Sequence, residues 1–183
     1  MKTIDSIEKR RSIRKYKKDS IEKDKIVDIL NAGRLAPSAK NRQPWYFVIA
    51  NEEIKNAIAD LMINYEGSFG EEGDYKHSSS IKFTGKAMKN APVLILVYTS
   101  LDNNYLISDA LSIGAAIENM ILRATELSLG TLWIRDTTHV ENEINDIVGI
   151  TDKKLSSALL IGMPDQSPNM RPRKDLDDIV KWL

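Results

Sequence analysis

YLISDALSIGAAIENMILRATELSL, residues 105–129, is the longest helical stretch of the sequence and the one that constrains the fold most. Leu106, Ile107, Ala110, Leu111, Ile113, Ala115, Ala116, Ile117, Met120, Ile121, Leu122 and Leu127 cover well over half of its circumference. A helix apolar nearly all round must be buried nearly all round. In a chain of 183 residues one sheet covers only part of such a helix. Its burial is supplied either within the chain, as a central core helix, or by a second subunit approaching the Gly114-Ala115-Ala116 patch; the second is the expectation here. Gly130 reads as the stop that closes the helix.

Working outward, Thr131–Arg135 and Leu155–Ile161 have the look of strands, with a helix over 140–148 between them. Upstream, Pro92–Tyr98 is an unbroken apolar run, which predicts a central strand covered on both faces. Trp45–Ile49 predicts another strand and Glu52–Ile63 a helix. Helical periods also run over residues 4–16, through Ile26, Ile29, Leu30 and Gly33, and over 175–182. Residues 64–85 show no apolar period and are expected to form a long mobile loop or lid with room for a turn of helix, and Tyr65, Phe69 and Tyr75 are able to cover a planar substrate. The order predicts one α+β domain over residues 1–183, with a sheet of about four to five strands flanked by helices.

Composition removes several classes of function. Twenty-six Lys/Arg balance 26 Asp/Glu, so no global field draws the chain to nucleic acid. The balance is uneven: residues 1–18 hold eight Lys/Arg against Asp5 and Glu8. Cysteine is absent, which excludes disulfides, thiolate metal sites and cysteine nucleophiles and suits a reducing compartment. The sequence opens without the apolar core of a secretory signal and has no clean apolar run of membrane-spanning length. A cytoplasmic protein, with neither nucleic acid nor membrane as partner, is expected. His77 and His139 stand in unrelated segments, so no metal site is expected. Phosphate-cradling glycine motifs and a serine nucleophile elbow are missing as well.

What remains is cationic. Lys9-Arg10-Arg11-Ser12-Ile13-Arg14-Lys15, read as helix, puts Arg10 and Arg14 on one face where their forks can close on one dianion. Arg171-Pro172-Arg173-Lys174, read as extended chain, points Arg171 and Arg173 the same way. Either cluster alone reads equally as a solvated basic surface. Between them in sequence lies Pro37-Ser38-Ala39-Lys40-Asn41-Arg42-Gln43-Pro44-Trp45, a loop stiffened by two prolines and rich in side-chain donors and acceptors.

Together with Leu129-Gly130-Thr131-Leu132-Trp133-Ile134, these segments resemble, in order and in register, the signatures of the FMN-dependent nitroreductase family. The similarity spans almost the whole chain except residues 64–85. It implies an α+β nitroreductase-like fold with a mostly antiparallel sheet, in a domain-swapped homodimer with FMN at the subunit interface. Arg10, Ser12 and Arg14 would hold the phosphate, ribityl chain and ring edge, with Arg11 alongside, and Arg171 and Arg173 would complete the phosphate site. Pro37, Ser38, Asn41 and Gln43 match the loop that reaches the flavin from the partner subunit. Trp133, Ile134 and Arg135 match the segment along the isoalloxazine. Arg135-Asp136 departs from the small residues of many relatives.

The activity implied is an NAD(P)H-dependent oxidoreductase that reduces nitroaromatics, quinones or similar small aromatic acceptors by ping-pong transfer. Two other functions fit the same motifs: a specialised flavin reaction such as reductive dehalogenation or azoline oxidation, and a flavin-binding or interaction module without turnover. FMN carries the redox chemistry in this class, so no acid–base dyad is needed and none is assigned.

Overall fold

The structure is a computed structural model that describes residues 2–66 and 75–183, with the side chains of 75–77 outside the description. Its elements run α1 (Thr3–Lys9), α2 (Lys23–Arg34), β1 (Tyr46–Ala50), α3 (Glu52–Ile63), α4 (Tyr75–Asn90), β2 (Val93–Thr99), α5 (Leu106–Glu126), β3 (Gly130–Ile134), α6 (Glu141–Val148) and β4 (Lys154–Gly162). The four described strands form one antiparallel sheet in the order β1-β2-β4-β3.

β2 sits inside the sheet with all seven residues buried, as its unbroken apolar run requires. Alternation along it separates two cores. Leu94, Leu96 and Tyr98 join Ile58 and Met62 of α3, Ile81 and Met88 of α4 and Ile144 of α6 on one face. Val93, Ile95 and Val97 join Ile29 of α2 and Ile113, Ile117, Met120 and Ile121 of α5 on the other.

α5 is therefore a core helix over its C-terminal half, wedged between the sheet and α2. With the turn before it, it is long and apolar enough to span a bilayer by length and composition alone. Yet it buries Asp109 and Ser112 and packs Ala116, Ile117 and Met120 fully against the sheet. Its N-terminal half is different: Leu106, Ile107 and Leu111 are 50%, 77% and 71% exposed. The chain covers one end of the helix and leaves the other bare.

Four sequence expectations are corrected. The helix expected over 4–16 ends at Lys9, because Arg11 caps its last turn by donating to the carbonyls of Glu8 at 2.6 Å and Arg10 at 2.9 Å. Beyond it the chain is extended, Ser12 bridging Thr131 in parallel and Ile13 N–H donating to Thr131 O at 2.8 Å. The loop or lid expected over 64–85 gives way to helix at Tyr75. The buried positions of α4 fall at Ile81, Thr84, Gly85, Ala87 and Met88, so a threonine, a glycine and an alanine occupy most of its inner face and hide the period. Phe69 lies outside the described residues. At 175–182 only a turn over Leu176–Asp178 forms, with Leu176, Ile179 and Trp182 exposed.

The fourth correction concerns Gly130. α5 already ends at Glu126, and Ser128 makes the left-handed turn at φ 61. Gly130 opens β3 and is glycine because Ile13 lies across it: a Cβ there would meet three Ile13 side-chain atoms at 2.7–2.9 Å. Gly130→Ala is expected to lower the unfolding free energy by roughly 1–3 kcal/mol through overpacking, read as a fall in the urea midpoint. An unchanged midpoint would mean that Ile13 is free to move aside.

Candidate functional site

The extended segment after α1 makes Arg10, Ser12 and Arg14 alternate residues, so they share one side by strand geometry and not by the helical spacing expected. Tyr16 fixes the far end: its buried hydroxyl donates to Ile13 O at 2.6 Å, and burial pushes its ionisation well up. Opposite runs the C-terminal chain. Arg10, Arg11, Ser12, Arg14, Arg171 and Arg173 line one cavity of about 440 Å³ together with Ile7, Glu8, Pro168, Asn169 and Met170. The two cationic clusters, at opposite ends of the sequence, thus form one site.

Its charge is poorly balanced. Arg10 has Glu118 at 4.0 Å, but among the described residues no carboxylate lies within ion-pairing distance of Arg14, Arg171 or Arg173. Among the described residues, Arg14 and Arg173 donate only to nearby backbone carbonyls. Such a set of forks suits a phosphate dianion, which accepts several charge-assisted bonds at once. The phosphate of FMN fits this donor set.

Ser12 pairs with Thr131, two residues before Trp133, so the cavity adjoins the outer edge of β3. Thr131 O is taken at that edge by Ile13, and strand alternation turns the backbone groups of Trp133 to the same open side. Trp133 is 44% exposed, its indole N–H donating to Ser157 Oγ at 2.9 Å above Gly114. The side chain of Ile134 is buried in the core on the other face, and the same alternation turns its backbone groups toward β4, so neither is presented at this edge. Arg135 lines a separate hollow of about 270 Å³ with Thr99, Asp102, Asp109 and Lys154. Asp136 is a tether: one carboxylate oxygen accepts from Ser80 at 2.9 Å and Thr84 at 2.8 Å, tying α4 to the end of β3.

Pro37, Ser38, Asn41 and Gln43 do not line the cationic cavity of their own chain. Their loop is anchored instead to the start of α5. Lys40, Asn41 and Gln43 adopt φ of 51, 53 and 48, a left-handed backbone that costs a side-chain-bearing residue roughly 1–2 kcal/mol. Ser38 Oγ accepts from Gln43 N–H at 3.0 Å, and Ser112 Oγ from Ala39 N–H at 3.4 Å.

Arg42 forks onto Asp109, Nε to Oδ1 at 3.1 Å and Nη2 to Oδ2 at 3.2 Å. It also donates to Asp102 at 3.2 Å and lies 3.8 Å over the Tyr105 ring. Sequence reasoning misses this network, whose one signal is the lone acid in the apolar face of α5.

The Arg42 hydrogen bond, helped by the Ser100 hydroxyl and opposed by burial, holds Asp109 below the usual carboxylate range. With its folded pKa depressed, the pair contributes stability that is complete above the ordinary aspartate value of about 3.9 and is lost as pH falls through the lower folded value. Against wild type, Asp109→Asn is expected to melt several degrees lower at neutral pH and to show a shallower acid decline. Parallel melting curves against pH would refute the ion pair.

The sequence model of the nitroreductase family matches residues 7–163, and the chain belongs to that family. A Bacillus subtilis protein provisionally assigned as an NAD(P)H nitroreductase is 25% identical over 178 residues, covering 95% of this chain and 90% of the relative. The iodotyrosine deiodinase of Thermotoga neapolitana is 28% identical over 186 residues, 97% of this chain and 96% of that protein. A Desulfovibrio desulfuricans structure provisionally assigned as a nitroreductase, solved in complex with FMN, superimposes with TM-score 0.80 at 24% identity, covering 98% of this chain and 95% of that one.

Proposed function

We propose that this chain is an FMN-dependent NAD(P)H oxidoreductase of the nitroreductase family, working as a cytoplasmic homodimer on small planar acceptors such as nitroaromatics or quinones. The observation that carries the reading is the cavity in which Arg10, Arg14, Arg171 and Arg173 converge without a matching set of acids. FMN, when bound, supplies the redox chemistry, taking a hydride from reduced nicotinamide and giving it to the acceptor in a second half-reaction. The arginines hold and neutralise the phosphate, Ser12 offers a hydroxyl beside it, and the open edge of β3 at Trp133 lies along the path from the phosphate site. The loop 37–43 does not line the cavity of its own chain, which supports its serving a partner's site.

The bare Leu106, Ile107 and Leu111, and the exposed Met170, Leu176 and Trp182, support a partner subunit covering both segments. The Bacillus subtilis relative, provisionally assigned as an NAD(P)H nitroreductase, supports the reductant. A reductive dehalogenation on the same cofactor is the second reading, favoured by the deiodinase that matches nearly end to end.

An anaerobic titration tests both. The purified yellow protein should bleach with NADH or NADPH and regain its colour with a nitroaromatic or quinone. Recolouring only by a halogenated phenol, with halide release, would move the assignment to dehalogenation. Yellow protein that neither nicotinamide bleaches would remove the NAD(P)H reading.

A further inference from the structure

We propose that Arg42 is a positioning residue: forked onto the buried Asp109, it holds the 37–44 loop in the left-handed backbone that sets Ser38, Asn41 and Gln43 for the flavin. The inference rests on the flavin reading above for what the loop contacts, and on geometry alone for what holds it.

The loop contains no glycine, yet three of its four residues from 40 to 43 have positive φ. Each has a more populated conformation to relax into, by about a factor of ten. The exception is Arg42, at φ −67 and ψ −27. Its side chain is also the strongest tether the loop possesses, with three charge-assisted bonds to Asp109 and Asp102 and a ring beneath it. The anchor itself is rigid. Asp109 is 2% exposed, lies in the first turn of α5 and is fixed from its other side by Ser100.

Among the remaining described loop bonds, Asn41 N–H to Ser38 O, Arg42 N–H to Ala39 O and Gln43 N–H to Ser38 Oγ, each at 3.0 Å, are internal and move with the loop. Lys40 Nζ reaches outward to the Tyr105 hydroxyl at 3.3 Å, but that bond is exposed and its acceptor is neutral. Ala39 N–H to Ser112 at 3.4 Å is long. Strain of this kind persists only where the surroundings over-determine it. Here the main determinant is the Arg42 fork, which is charged and part-buried where the Lys40 bond is exposed. Arg42 is absent from the lining of the cationic cavity, so it is not itself a phosphate ligand there.

The test uses the purified full chain and the variants Arg42→Met, Arg42→Lys, and Arg42→Met with Lys40→Gly. FMN and riboflavin affinities are measured by flavin fluorescence, and amide exchange of residues 38–45 is followed in flavin-free protein. Arg42→Met should weaken FMN and riboflavin alike, at least tenfold, and speed exchange in the loop. Lys40→Gly removes the cost of one left-handed residue and gives up only the exposed bond to Tyr105, so it should recover threefold or more of the lost affinity. A general loss of stability would not be repaired by a glycine.

Arg42→Lys keeps a charge beside Asp109 but cannot fork, so it should fall between wild type and Met; it also carries the test if Arg42→Met does not fold. Wild-type affinity and exchange in Arg42→Met would overturn the proposal. So would a loss confined to FMN, or a loss that Lys40→Gly leaves untouched. Wild-type protein that takes up no flavin would remove the flavin reading and this inference with it, a result read on wild type and distinct from a flavin-replete variant.

Discussion

Arg14→Ala combined with Arg173→Ala is expected to weaken FMN binding by two orders of magnitude or more while riboflavin binding changes little. Each residue brings a guanidinium from a different end of the sequence to the same cavity, and among the described residues neither has a carboxylate to satisfy it. A charge-assisted bond to a phosphate contributes about 1.5–3 kcal/mol, or one to two decades in affinity. The single variants should each lose at least tenfold. Fluorescence titration with the two flavins side by side decides the matter, since they differ only in the phosphate. Equal losses for both would show that the arginines act on the fold or on the ring and not on the phosphate.

Ala116→Glu should yield no soluble, cooperatively folded protein. Ala116 is fully buried where α5 crosses the sheet, among Ile113, Ile117 and Met120, and a carboxylate there has neither water nor a cation to meet. Leu111→Glu is the matched control. That side chain is 71% exposed, so the same charge should leave the chain folded and act only on assembly. Circular dichroism and sedimentation separate the two effects: aggregate for the first, a folded species of lower mass for the second. A soluble Ala116→Glu with a sharp melt would overturn the orientation given to α5. A dimer undisturbed by Leu111→Glu would remove the bare end of the helix from the interface.

The contrast between the two ends of α5 marks where the sequence is legible. Pro92–Tyr98 is plain, because seven apolar residues in a row need cover on both faces and β2 has it. Glu52–Ile63 is equally plain, with Asn51 capping Ile54 N–H at 2.8 Å. The segment 10–16 is not. Its arginines fit helical spacing, and the strand that makes it extended lies at Thr131, far outside any local window. α4 is hidden because Thr84 and Gly85 take core positions, the glycine admitting the backbone of Ala59 and the side chain of Ile63. The convergence of the two cationic clusters is legible only through family resemblance, since nothing between residues 14 and 171 encodes it locally. The Arg42–Asp109 fork spans loop and helix, and only the partner explains why either charge is tolerated.

The cationic cavity also has an order of assembly. One wall is residues 10–14; the other is residues 168–173, and between them the chain must complete the sheet that holds Ile13 against Gly130. A ribosome delivers the first wall long before the second, and the early arginines wait, mutually repelling, through the synthesis of everything in between. No nascent fragment shorter than residue 173 contains all of the arginines that line this cavity. On the function proposed above, cofactor capture would therefore be a late event in the birth of the molecule.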